Sequence, residues 1–496
     1  MQLQWESRQI PALGVRAGET QTQEQTLEVR LGENLPDIGH IICGWGQPLL
    51  RGKQWRADSM SVSGGVMVWI LYGPEDGAAP SCVEAWLPFQ LKWPLPPSQR
   101  DGAIRCDIRV TGVEARVLSA RKMMVRAQIS AMGEALEPET VEIFTPGEVP
   151  PAVQLLKNTY PVLLRAEAGE KLIEAEETLP LPGPTPAQVL CCQVEPVLEE
   201  QKLIGNRAVF RGDCAVHLLY ASEDGGIHSA ALHAPFAQFA ELDRDYDKET
   251  TLDTVMAVSA LEPELTGEGL HLAFTLVAQY VVLERSLLEV AQDAYSTENE
   301  TALQRAQPEL PVVLEQSRQQ WELCLRGSWD GAEVTDVTFL PEQPLLHRGD
   351  GCIQAQLTGH AQLLYRDREG TYRSAELPLE QQWQIPAGED TVLSLSIRPG
   401  QDIASTVAGE TVELTGSVEI FMTADARQEI PMLSGLEVGA PLERPEDRPS
   451  MILRRAGEET VWELAKCYGT TVEAIRQANA LQDQTGEGKI LLIPVS

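Results

Sequence analysis

Three histidines, His217, His228 and His233, fall within one short stretch of the chain. Imidazoles that close together could ligate a metal or exchange protons. The stretch, "VHLLYASEDGGIHSA" (Val216 to Ala230), returns as "AQLLYRDREGTYRSA" (Ala361 to Ala375) and, in part, as "VWILYGPEDG" (Val68 to Gly77). In the later copy Gln362, Arg373 and Pro378 stand where the histidines were, and Trp69 stands for His217 in the earlier one. The repeated unit does not need histidine there, so solvent-facing strand histidines are the expectation, with no metal or cofactor site. The nine cysteines are odd in number and include no C-x-x-C pair, which predicts buried free thiols. The adjacent Cys191 and Cys192 are the one redox candidate, and nothing beside them supports that chemistry. No G-x-S-x-G, P-loop, H-E-x-x-H or dinucleotide fingerprint occurs.

The elements that carry these residues repeat at a regular distance. Tyr72, Tyr220 and Tyr365 stand 148 and 145 residues apart (220 − 72 and 365 − 220). Around each, apolar residues alternate at period two: Val68, Ile70, Tyr72; Val216, Leu218, Tyr220; Ala361, Leu363, Tyr365. Acid- and glycine-rich turns follow (Glu223 to Gly226, Asp367 to Gly370), giving strand, tight turn, strand. A second alternating strand comes about fifty residues later ("KMMVRAQIS", "LHLAFTLVAQYVV", "TVELTGSVEIFM"), and a lead-in strand precedes each unit from Gln25, Glu176 and Gln319. Short strands with one wet face and Gly, Pro and Asp breaks predict a mainly β chain. The expected architecture is three tandem antiparallel β-sandwich or open-barrel modules, at 1–148, 149–298 and 299–438. A linker at 439–450 and a small unit at 451–496 follow.

The chain has 496 residues, enough for three or four domains, and a net charge of −34. So acidic a protein repels phosphate backbones and anionic membranes, which argues against nucleic-acid binding. No run reaches the ~20 apolar residues of a membrane span. The start, "MQLQWESRQIPALG", lacks a basic segment followed by an apolar one, so a cytosolic protein is expected.

From Met451 the pattern changes. A strand at Ile452 to Arg454 precedes two Thr-x-x-Glu capping boxes, Thr460 to Glu463 and Thr470 to Glu473. The first opens a helix through Lys466, stopped by Gly469; the second opens one to about Asn479; a strand at Ile490 to Ile493 closes the unit. The residues "WELAKCYGTTVEAI" (Trp462 to Ile475), Asn479 with Leu481, and the final "LLIP" resemble the LysM domain, a βααβ fold. LysM domains commonly bind N-acetylglucosamine polymers between the loop after the first strand and the loop before the last. Here the first loop, Gly457 to Trp462, is one residue longer and more acidic than the family pattern, and the opening strand has no aromatic residue. Partner binding is expected on the face around Glu458, Glu459 and Trp462, with Arg454 and Arg455 as basic spots.

Three such repeats before a LysM resemble the SipL-type spore-coat morphogenetic proteins of endospore-forming bacteria, whose repeat is the SPOCS (DUF3794) module. The likeness rests on "ILY…EDG" from Ile70, "LLYASEDGGIHS" with "APF" at Ala234, "DAYST" at Asp293, and "LLYRDREGTYRS". It implies a non-enzymatic scaffold of the mother-cell cytosol that collects at the forespore surface. Its LysM would bind the coat's basement-layer ATPase and other coat proteins. The alternative is a cell-wall protein whose LysM grips peptidoglycan glycan chains, with the β-modules as spacers. Peptidoglycan capture by the isolated tail separates the two.

Overall fold

The computed structural model describes residues 5–97, 100–400, 402–443, 449–480 and 490–495. Leu481 and the segment before the closing strand, both part of the LysM likeness, lie outside them.

Each repeat folds to the same plan. The first holds β1 (Trp5–Arg30), β2 (Ile38–Arg56), β3 (Ser59–Pro74), β4 (Ser81–Pro94), β5 (Ala103–Ser119) and β6 (Lys122–Pro146). They form two antiparallel sheets, ordered β2-β3-β4 and β1-β6-β5. The second holds β7 (Val153–Leu179), β8 (Pro186–Ile204), β9 (Arg207–Ser222), β10 (Ile227–Glu241), β11 (Thr251–Thr266) and β12 (Gly269–Ser296), ordered β8-β9-β10 and β7-β12-β11.

A connecting strand β13 (Asn299–Ala306) leads to the third repeat. This contains β14 (Glu309–Ser328), β15 (Gly331–Pro341), β16 (Leu345–Gly349), β17 (Cys352–Asp367), β18 (Tyr372–Pro386), β19 (Val392–Pro399), β20 (Ala404–Ala408) and β21 (Thr411–Glu429). Here β15 and β16 share the place of β2, and β19 and β20 that of β5. The two sheets of each repeat face one another over a shared apolar core. In the third repeat Leu323 and Leu414 of one sheet meet Ala355 and Leu363 of the other.

The strands are far longer than the breaks in the sequence predicted. β1, β7 and β12 run 26, 27 and 28 residues, and the lead-in segments at Gln25, Glu176 and Gln319 are only the far ends of β1, β7 and β14. Pro11, Pro161 and Pro311, which read as breaks, sit in β1, β7 and β14, each at the edge of its sheet, where a residue without an N–H need not interrupt a ladder. The closing strand β22 (Met432–Pro441) pairs with β13, so three residues of the stretch read as linker belong to a strand.

The single wet face also fails, for a reason the register makes plain. Trp69, Leu71, Leu219 and Leu364 point away from their own module's core and are all under 2 % exposed. They are buried because the modules pack on one another. Each first strand bulges at the same point, between Ile41 and Cys43, Val189 and Cys191, Val334 and Asp336. Cys82, Ser229 and Ser374, which lie opposite Leu71, Leu219 and Leu364, each reach the bulge of the next module. Cys82 Sγ donates to Leu190 O at 3.1 Å, Ser229 Oγ to Asp336 Oδ1 at 2.7 Å, and Ser374 Oγ to Ile42 O at 2.6 Å. The contacts run first to second, second to third and third back to first, closing a ring.

The tail has β23 (Met451–Arg455), α1 (Val461–Tyr468), α2 (Val472–Asn479) and β24 (Ile490–Pro494), with β23 and β24 antiparallel. Thr460 and Glu463 form the expected capping box, and Gly469 closes α1 in the left-handed region at φ 63°. The second helix starts one residue later than predicted. Thr471 caps it by accepting from Ala474 N, because Thr470 N–H is already bonded to Ala465 O in the closure of α1. Asn479 ties the helix end to β24, accepting from Leu492 N and donating to Leu492 O at 2.7 and 2.6 Å.

Candidate functional site

The five predicted tail residues do not form one open face. Trp462, half-buried on α1, is held by the second module: its indole N–H donates to Asp293 Oδ2 at 2.9 Å. The Tyr295 ring meets the indole edge-on at 4.9 Å between centroids, and its hydroxyl donates to Thr470 O at 2.7 Å. Lys466 adds an ion pair to Asp293 at 2.7 Å. Burial alone would raise the Asp293 pKa, but hydrogen bonds from Lys466 and Trp462 hold it below its ordinary 3.8. Asp293 and Tyr295 belong to the "DAYST" motif, so that motif is the seat of the tail.

Arg454 is likewise engaged inside the tail, bound to the Tyr468 hydroxyl at 2.9 Å and to Glu459. Glu459 also accepts from Gly457 N at 3.2 Å, folding the first loop onto itself. Arg455 and Glu458 remain exposed.

The open surface of the tail lies on the outer side of the β23–β24 ribbon. Pairing places Leu453 opposite Leu492 and Arg455 opposite Ile490, with alternate residues turned to the helices. Outward face Met451, Leu453 and Ile490, which are 57 %, 70 % and 68 % exposed, beside Arg455. So apolar a face on a two-stranded ribbon is the kind of patch that marks an interaction site. Its signal in the sequence was continuous apolar character where alternation was expected: Met451-Ile452-Leu453 and Ile490 to Ile493.

The ring of modules encloses a second polar assembly. His217 Nε2 lies 2.7 Å from Asp336 Oδ1, so this histidine bridges modules two and three instead of facing solvent. Burial would lower its pKa, yet the Asp336 charge and hydrogen bond leave it above the ordinary 6.5. Burial would raise Asp336, while His217, Ser229 and Thr338 hold it below 3.8. His228 packs on Tyr220, and exposed His233 pairs with Asp213 at 2.6 Å.

Ser229, His217 and Asp336 are the residue types of a nucleophilic triad, but their order is different. The serine hydroxyl and the imidazole Nε2 both address the same carboxylate oxygen, and His217 Nδ1 has no partner. Activation of a serine needs the imidazole between hydroxyl and carboxylate. Here the carboxylate sits in the middle and staples the seam.

Other charges meet at the junction. Arg165 grips Asp425 through both carboxylate oxygens, with Nη2–Oδ2 at 2.9 Å, and Arg105 bridges Glu134 and Asp253 at 2.5 and 2.6 Å. Arg105, Glu134, Arg165 and Asp425 are all buried. Cys43, Cys82, Cys106, Cys191, Cys192 and Cys214 are buried free thiols; burial pushes Cys192 up to about 12, which suppresses the reactive thiolate. Among the described residues no group of three His, Cys, Asp or Glu side chains could hold a metal ion, and no helix is long and apolar enough to cross a membrane.

Comparison with protein-family models, with curated proteins and with solved structures found no match to the chain.

Proposed function

We propose that the chain is a non-enzymatic adaptor of spore-coat assembly. A closed ring of three β-modules presents a LysM-like tail, which grips a coat basement-layer protein, a morphogenetic ATPase, at the forespore surface. The observation that carries this reading is the exposed apolar face of Leu453, Ile490 and Met451 beside Arg455. A glycan-binding groove needs open polar and aromatic groups along its loops, whereas here Trp462 is occupied by Asp293 and Tyr295, and Glu459 is drawn onto Arg454. An apolar ribbon face fits a protein surface better than a sugar chain. Three modules locked as one body hold that tail in a fixed pose, and many such bodies arrayed on a polymer of partner sites would bind with avidity.

Affinity purification from sporulating cells, with the full chain and with a chain ending at residue 449, tests the reading. Coat proteins should be captured by the first and lost with the second. Equal recovery by both would reject a role for the tail.

A further inference from the structure

We propose that the cavity where the three modules meet binds a linear aliphatic polyamine. The cavity has a volume of about 460 Å³ and is walled by strands from all three modules. Each module supplies one carboxylate to the wall: Asp107 from β5, Glu195 from β8 and Asp336 from β15. Two of the three are answered. Arg109 takes Glu195 in a two-point contact at 2.7 and 3.0 Å, and His217 takes Asp336. Asp107 is left over. Its Oδ1 is 3.4 Å from Arg109 Nε, and its Oδ2 has no hydrogen-bond partner although the residue is only 3 % exposed. A buried carboxylate oxygen with no donor is costly, by about 1–3 kcal/mol or more for a charged group, and a cation placed beside it removes that cost.

The module scaffold does not require these acids. In register, Asp107 corresponds to Val255 and Ser396, being opposite Met132 where those face Gln279 and Phe421. Glu195 corresponds in the same way to Gln47 and Leu340, and Asp336 to Cys43 and Cys191. Each acid is thus peculiar to one module, and all three converge on one space.

The chemistry of the space selects the class of ligand. No three ligating side chains among the described residues gather around one point, which argues against a metal ion and for positive charge spread along a molecule. Between the acids the wall is apolar, with Val110, Val258, Val337 and Phe339, which suits methylene groups. Ammonium ends toward the carboxylates and a hydrocarbon chain between them match both features.

Isothermal titration of the full chain with spermidine, at about 0.15 M salt to screen diffuse attraction to the acidic surface, tests the proposal. The expected result is one saturable site per chain, no binding of butanediol, and affinity at least about tenfold weaker in Asp107→Asn, the loss of one charge-assisted contact. Glu195→Gln, which leaves the Arg109 cation unpaired, should weaken binding as well and decides the matter if Asp107→Asn fails to fold. Many weak sites, equal binding of the diol, or a single site untouched by these substitutions would overturn it.

Discussion

The Ser374 hydroxyl donates to the Ile42 carbonyl at 2.6 Å, joining the third repeat to the first across 332 residues of chain. With the Cys82 and Ser229 contacts it makes the repeats a ring. Gln362 reinforces the same seam, donating to Gly44 O at 3.2 Å. Replacing both, Gln362→Ala with Ser374→Ala, should cost about 2 kcal/mol, near 1 for each lost hydrogen bond. Denaturant unfolding followed by fluorescence should show a lower midpoint in a single transition. Separate transitions already present in the unaltered protein would mean the modules do not support one another.

The buried Arg165–Asp425 pair has apolar counterparts within the chain. Val15 and Val313 hold the register of Arg165, while Leu136 and Leu283 hold that of Asp425. Arg165→Val alone should cost about 3–5 kcal/mol, because Asp425 stays buried and unpaired. The double substitution Arg165→Val with Asp425→Leu should restore most of that loss. A double variant as unstable as the single one would show that the charges do more than balance each other.

His217 and Asp336 give the seam between modules two and three a pH window. The raised histidine stabilises the fold fully below 6.5 and loses its contribution as pH rises through its folded value. The lowered aspartate contributes above 3.8 and loses its share as pH falls through its folded value. The pair is therefore strongest between the two ordinary values. In His217→Gln, which copies Gln362, the stability deficit relative to the unaltered protein should be largest near pH 5–6 and shrink by pH 9. A deficit constant across that range would argue that His217 acts only as a neutral hydrogen-bonding group.

Tail docking rests on Asp293 and Tyr295. Asp293→Asn, which weakens charge-assisted bonds from Trp462 and Lys466, should loosen it by about 1.5–3 kcal/mol. Tyr295→Ala should loosen it further. Hydrogen exchange of α1 should then speed up while exchange in β3, β9 and β17 stays slow. Unchanged protection of α1 would place the docking energy elsewhere.

The repeats, their hairpins and the first capped helix were legible because they depend on local pattern: the spaced tyrosines, the period-two apolar residues, the Thr460-x-x-Glu463 box. What was hidden depends on distant neighbours. Arg105-x-Asp107-x-Arg109 reads as a wet strand face, yet Arg105 and Asp107 are under 5 % exposed because the second module covers them. His217 looked solvent-facing for the same reason: its partner lies 119 residues away in another module. Trp462 was legible as important, but its partner Asp293 is 169 residues distant, and no spacing rule connects them.

The central claim is that the tail grips protein through its ribbon face, and paired sedimentation tests it most directly. The full chain and its Leu453→Asp variant are spun separately with polymerised coat ATPase and with purified peptidoglycan. The account predicts that the full chain sediments with the ATPase polymer, that the variant stays in solution with its fold intact by circular dichroism, and that neither follows peptidoglycan. Sedimentation with peptidoglycan and none with the ATPase would contradict it.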